Sequence, residues 1–324
     1  MSLLADALQP HVARGLFSIR GAIDATLDEL MARQGCYPSF DTAAGHWEFD
    51  FRAPESVSPF LAYECARFAC ASFQSYADVK SSLVDANRLP WALVKAYYAA
   101  FYAGHSILRA LGITCTYVDG PRVTLLRRLL QAYGIQLVFS SGLYHTRTTA
   151  TASSIRFESL GQGHGGTHEA FWKIFALRIQ SLEVEVLAGS LPRIDAQSVN
   201  LALGKVRAVI TRNSSDLAWL STVRNAVQYR QGHQVWYPTC GLSAAERSRL
   251  SQIADSWLLD PMAIDVPARR AGVLGDFLSA CTFLVASCRV LMIRIGQRGN
   301  LGQRKSFAYH GPLRYLLTHK LWKE

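Results

Sequence analysis

The chain has little with which to build a cross-linked or metal-held fold. Its seven cysteines are odd in number and include no CxxC pair. That leaves neither a disulfide framework nor a zinc-ribbon spacing. Cys281 and Cys288 lie seven apart, on one face of an expected helix, which is the pattern of buried thiols; a reducing cytosol is the expected compartment. Charge is also scarce. Only 18% of the 324 residues are Asp, Glu, Lys or Arg and 50% are hydrophobic, which excludes global disorder and allows one large domain or two ordinary ones. Long apolar runs are missing: Phe277 to Cys288 is bounded by Asp276 and Arg289, too short a stretch to span a bilayer. The N-terminus, with Asp6 and Pro10, lacks a signal-peptide layout, and no internal repeat is visible. Gly161, Gly163, Gly165 and Gly166 form a flexible loop without the lysine arrangement of a P-loop. Asp41, Glu48 and Asp50 have no spacing that suits a metal-nuclease cluster. His164, His168 and Glu169 invite a zinc reading, but Thr167 is expected to cap a helix between the two histidines, so they do not make a helical i, i+4 pair. No metal and no cofactor is implied.

What the chain does have is positive charge, +10 in all, with an isoelectric point near 9.4. The excess is concentrated at one end. From Arg294 to Glu324 there are Arg294, Arg298, Arg304, Lys305, Arg314, Lys320 and Lys323 against one acid, with Tyr309, Tyr315 and Trp322 interleaved. Basic side chains alternating with aromatics suit a nucleic-acid backbone; a solvated terminus is the plain alternative.

The apolar pattern is mostly helical. Leu4 through Leu30 recur at three- and four-residue spacing, giving a helix over 1–35 broken near Pro10. His46 to Phe51 alternates as a short strand, and Pro59 to Tyr76 returns to helix. Pro90 to Leu111 is the clearest helix, with Trp91, Val94, Tyr97, Tyr98, Phe101, His105 and Leu108 on one aromatic face and Gly112 closing it. A helix follows over 122–133, then strands at Ile135–Phe139 and Ser153–Phe157. Further helices are expected over 168–188, 196–211, 216–230 (capped by Ser215) and 273–295, with a capping box at Ser243–Glu246 opening another.

One short segment points to chemistry. On the 216–230 helix Arg224 shares a face with Gln228, and Asn225 with Tyr229, beside the apolar stripe Leu217, Leu220, Val223 and Val227. Arg230 and His233 follow. A guanidinium fork matches phosphate oxygens, an amide can orient a hydroxyl, and an imidazole can move a proton near neutral pH. A structural Arg–Asn pair bridging helices is the alternative reading. His105, on the aromatic face, reads as a hydrogen-bonded core histidine or as a substitute proton carrier.

The helix Ala96-Tyr-Tyr-Ala-Ala-Phe-Tyr-Ala-Gly-His-Ser-Ile-Leu-Arg-Ala-Leu-Gly112, taken with the Arg224-Asn225 helix, resembles the HEPN superfamily. Those are helical-bundle proteins of bacterial toxin, antiviral and RNA-processing systems. Their motif is Arg, often a polar residue such as Asn, then four to six residues in total before His. The resemblance implies metal-independent RNA cleavage by attack of a 2′-hydroxyl on the adjacent phosphodiester, with Arg holding the phosphate and His moving the proton or positioning the hydroxyl. It also implies a homodimer, or a partner protein completing the site. Arg224 matches the motif arginine and Asn225 the polar residue. The last position departs: a four-residue spacer reaches Tyr229, five or six reach Arg230 or Gln231, and His233 follows eight.

The expected fold is mainly α, a HEPN-like helical bundle with a small β insertion and an N-terminal helical extension. Its expected parts are an extension over 1–87, a helical domain over 88–295 with the insertion at 134–166, and a basic segment over 296–324. The expected site is Arg224, Asn225, Tyr229 and His233, with Arg230, Arg298, Arg304, Lys305, Arg314 and Lys320 holding RNA. The expected activity is that of an endoribonuclease, or else of a catalytically silent RNA- or nucleotide-binding scaffold.

Overall fold

The computed structural model describes residues 2–33, 35–161, 166–212, 217–267, 272–298 and 303–322. His164, Gly163, Gly165, Ser215, Asp216 and Lys323, all used in the sequence reading, lie outside them.

The chain is mainly helical with a small antiparallel sheet. The expected N-terminal helix is not continuous. It is α1 (Leu3–Leu8), two single 3-10 turns, and α2 (Leu27–Arg33). The break has a local cause. Gly15 has φ +86, and a Cβ there would stand 2.3 Å from Ser58 Oγ, which donates to Arg14 O at 2.7 Å. Next come β1 (Tyr37–Asp41) and β2 (His46–Asp50), then α3 (Ser58–Tyr76), α4 (Val79–Val84) and α5 (Leu89–Ala110). Pro90 lies in the first turn of α5, and Gly112, φ +73, follows its end, as the sequence pattern indicates.

β3 (Ile113–Val118) leads to α6 (Gly120–Ala132), whose N-cap Asp119 accepts from Arg122 N. β4 (Gly142–Thr148) and β5 (Ser154–Ser159) complete a sheet in the order β1-β2-β5-β4-β3. Ile135–Phe139 is not one of its strands. Leu137 and Val138 are exposed, and Phe139 is fully buried, tilted against Trp47 and stacked on Tyr144. The segment crosses the aromatic face of the sheet and plugs it with one ring. Since β2 pairs with β5, His46–Asp50 and the 134–166 region share one sheet.

α7 (Thr167–Leu187), α8 (Arg193–Ile210), α9 (Trp219–Arg230), α10 (Ala244–Asp255) and α11 (Gly272–Arg298) follow. α7 is N-capped by Gly166 at φ 92, not by Thr167, and α9 begins at Trp219, three residues later than the apolar pattern suggests. The capping box of α10 forms as expected, with both Ser243 and Glu246 bonded. The layers meet on α5, which packs against α3, α11 and α9 and has all but four of its residues buried. Gly104 is the contact point with α7: a Cβ there would meet Phe171 Cζ at 2.7 Å.

α11 is long and apolar enough to cross a membrane by length and composition, yet 89% of its most apolar window is buried inside the chain. That is the pattern of a helix packed inside the core. Two of its charged side chains are buried and partnered: Asp276 pairs with Arg212, and Arg289 donates to the carbonyls of Trp257 and Leu259 at 3.2 and 2.7 Å. Cys281 and Cys288 are buried thiols on this helix, and every cysteine is free. The chain ends in α12 (Phe307–His310) and α13 (Pro312–Thr318). This end is folded rather than a loose tail. Phe307, Leu313 and Leu316 are buried, and Gly296 of α11 lets Tyr309 and Leu313 approach closely.

Candidate functional site: an arginine held between tyrosines

Three helices place the site. α5 presents Tyr97 and Tyr98, α9 presents Arg224, Gln228 and Tyr229, and the first turn of α7 presents His168. The Arg224 guanidinium carbon lies 5.0 Å from the Tyr97 ring centroid, 5.5 Å from Tyr98 and 5.8 Å from Tyr229. Three ring faces around one cation are attractive in electrostatic terms. Arg224 is only 6% exposed, while Tyr229 is 68% exposed, so the guanidinium sits one side chain below the surface.

The hydrogen bonding of this arginine is thin. Its Nη1 donates to Gln228 Oε1 at 3.3 Å and, weakly, to Tyr229 Oη at 3.5 Å, and the guanidinium also bonds the Tyr97 phenol. Its Nε is buried and has no partner. Among the described residues no carboxylate pairs with Arg224, whereas the other deeply buried arginines are well supplied: Arg109 has Glu64, and Arg289 has two carbonyls. Buried arginine is ordinarily paired because an unpaired buried charge is costly. The fork of Arg224 is therefore under-used by its own protein.

Tyr97 links the arginine to a histidine. Trp172 Nε1 can only donate, and it donates to Tyr97 Oη at 3.0 Å. The phenol hydrogen is then available to His168 Nδ1, also 3.0 Å away. Ser221 is a further hydrogen-bond partner of the same phenol, so either nitrogen of His168 can carry the proton. Burial, and then the Arg224 charge, push the His168 imidazole down to about 4, so it is neutral at pH 7. Burial likewise pushes the Tyr97 phenol up from its usual value. The arrangement offers a guanidinium fork, a neutral imidazole and an exposed phenol within one cluster. It suits holding an anion, phosphate above all.

The sequence-expected residues divide. Tyr229 meets Arg224. Asn225 is half-buried one position on and makes no side-chain hydrogen bond among the described residues. His233 is not brought to Arg224. α9 ends at Gln231 in a left-handed conformation and His233 itself has φ 64, which turns the chain away. His233 instead lines a separate cleft with Leu242, Glu246, Arg249 and Leu274, where burial lowers its affinity for protons. His105 is a core residue, stacked between Phe68 and Phe171 at 4.8 and 4.1 Å and hydrogen-bonded to Arg109 at 2.9 Å. A different histidine reaches the Arg224 cluster, His168 of α7, 56 positions earlier, and no local spacing announces it.

The basic residues also divide. Arg304, Arg314 and Lys320 line one cleft of about 670 Å³ with Tyr309, His310 and Trp322. Lys305 is exposed in the turn before α12, Arg298 at the end of α11 and Arg230 at the end of α9. Arg294 is used internally, paired with Asp6 and donating to Gln9 Oε1 at 2.8 Å. No group of three or more His, Cys, Asp or Glu is placed to hold a metal ion among the described residues.

No protein-family model, curated protein or solved structure matches the chain.

Proposed function

We propose that this chain is a HEPN-like protein that acts on RNA, with Arg224 holding a phosphate of the strand. In this reading it is a metal-independent endoribonuclease of a cytoplasmic bacterial toxin or antiviral system. The observation that carries the proposal is the buried Arg224, with an unpartnered Nε and no carboxylate partner among the described residues. An anion supplied by a ligand completes its bonding.

In the proposed reaction the 2′-hydroxyl oxygen attacks the adjacent phosphorus and its proton leaves to solvent. The bond to the 5′-oxygen breaks, and that oxygen takes up a proton. The products are a 2′,3′-cyclic phosphate and a 5′-hydroxyl. Arg224 stabilises the charge that builds on the phosphoryl oxygens, and the neutral His168 imidazole positions the strand. Exposed apolar side chains support a partner or second copy: Leu177, Val184 and Leu187 on α7, and Ile194 and Leu201 on α8, are each at least half exposed.

A second reading, a silent RNA-binding scaffold, is favoured by one observation. His168 has Nδ1 engaged by Tyr97, and burial and the Arg224 charge hold its pKa down to about 4, so it is a weak base. The test that separates the two is incubation of a mixed RNA pool in EDTA with wild type and Arg224→Ala. Cleavage to cyclic-phosphate ends that the variant loses supports the nuclease. RNA retention without cleavage leaves the scaffold, and neither cleavage nor retention sinks both.

A further inference from the structure

The C-terminal end of the chain builds a cleft whose chemistry is more specific than general basicity. Arg304, Arg314 and Lys320 stand around it, all exposed, and neither Arg314 nor Lys320 has a carboxylate partner among the described residues. Its inner wall is aromatic. Trp322 lies against Tyr309, ring centroids 6.0 Å apart and tilted by 59°, and Tyr309 is itself buried against α11. The indole is thus backed on one side and half-buried, with the rest of its surface open to the cleft. The volume, about 670 Å³, is that of a site for a small organic group and not of a groove for a duplex. The wall is also anchored. α12 and α13 pack on α3 and α11, so the cations are presented from folded helices rather than from a mobile tail.

We infer that this cleft holds an unpaired nucleotide of single-stranded RNA, its base stacked on Trp322 and its flanking phosphates on Arg304, Arg314 and Lys320. Cations alone would suit any polyanion, and an aromatic wall alone any flat apolar group. Their combination in one small concavity suits the alternation of flat base and charged phosphate along an unpaired strand. A duplex hides its base faces and an acidic peptide has none. The inference rests on the RNA reading above and adds to it a second contact, separate in sequence from Arg224, that grips the strand while Arg224 holds one phosphate.

The test uses the full chain and a fluorescein-labelled twelve-nucleotide oligouridylate, followed by anisotropy across salt concentrations. Trp322→Ala is expected to weaken binding about tenfold, from the worth of one base stacked on an aromatic ring, with Trp322→Phe restoring most of it. Arg314→Ala combined with Lys320→Ala is expected to reduce the salt slope by roughly 1.4, two single-strand phosphate contacts. These two side chains are exposed, so this variant folds even if Trp322→Ala does not. With 5-bromouridine in the strand, ultraviolet cross-links are expected in the peptide containing Trp322. If both cleft variants bind like wild type while Arg224→Ala weakens binding, the cleft inference is overturned and the Arg224 reading stands. Wild type that binds no RNA overturns both. Equal binding of a blunt duplex, or equal competition by polyglutamate, overturns the assignment to an unpaired nucleotide.

Discussion

Arg224 is the residue on which the account turns, and its environment makes definite demands. Three tyrosine rings hold it, but they satisfy charge better than they satisfy N–H groups. Arg224→Lys retains the charge and loses the planar fork. It is expected to leave the fold intact and to weaken RNA binding nearly as much as Arg224→Ala, measured by anisotropy. His168 makes a prediction of the opposite kind. Its folded value of about 4 lies below the ordinary 6.5. The unfolded chain therefore takes up a proton before the folded one does, and stability falls as pH drops from about 6.5 towards 4. Thermal melts across that window should show the fall, and His168→Gln should flatten it in part. His11, His105, His145 and His233 are shifted the same way and add to the fall. A His168→Gln chain with an unaltered pH profile contradicts the assigned environment.

At the scale of elements, the helices that carry the site depend on close approach. Gly104 admits Phe171, and Phe171 is one turn from His168. Gly104→Ala is expected to cost about 1–3 kcal/mol, because a fully buried ring must move, and a melting curve checks it. Ser243→Ala removes one half of the capping box of α10 and is expected to cost about 1 kcal/mol without changing RNA binding. Helices with apolar periodicity and chemical end signals were legible in sequence: α3, α5 and α6 start and stop within two residues of the pattern. Elements whose limits are set from outside were not. The N-terminal helix breaks where Gly15 meets Ser58, and Ile135–Phe139 leaves the sheet because Phe139 is needed as its plug. β3 and β4 were missed, although Ile113-Thr-Cys-Thr-Tyr-Val118 carries the β-branched character of a strand.

For the whole molecule, the same division applies to the site. Arg224 and Tyr229 could be paired from helical spacing. The histidine could not, since α7 and α9 are brought together by their packing on α5 and α8, and His233 was the nearer candidate along the chain. The charge concentrated near the C-terminus was legible as composition, but its arrangement around Trp322 required the fold of α12 and α13 against α3 and α11. A strand held at Arg224 and again at the C-terminal cleft would make several phosphate contacts, so its affinity should fall steeply between low and moderate salt. The most direct measurement of the central claim is the affinity of wild type and Arg224→Ala for an uncleavable oligonucleotide, 2′-O-methylated throughout, at fixed salt. Because no 2′-hydroxyl is free to attack, it reports grip alone, whether or not the protein cuts. The account predicts that the variant binds about ten- to a hundredfold more weakly, the worth of a charge-assisted arginine–phosphate bond. Equal affinity in the folded variant would contradict it and leave Arg224 a structural residue of the helical core.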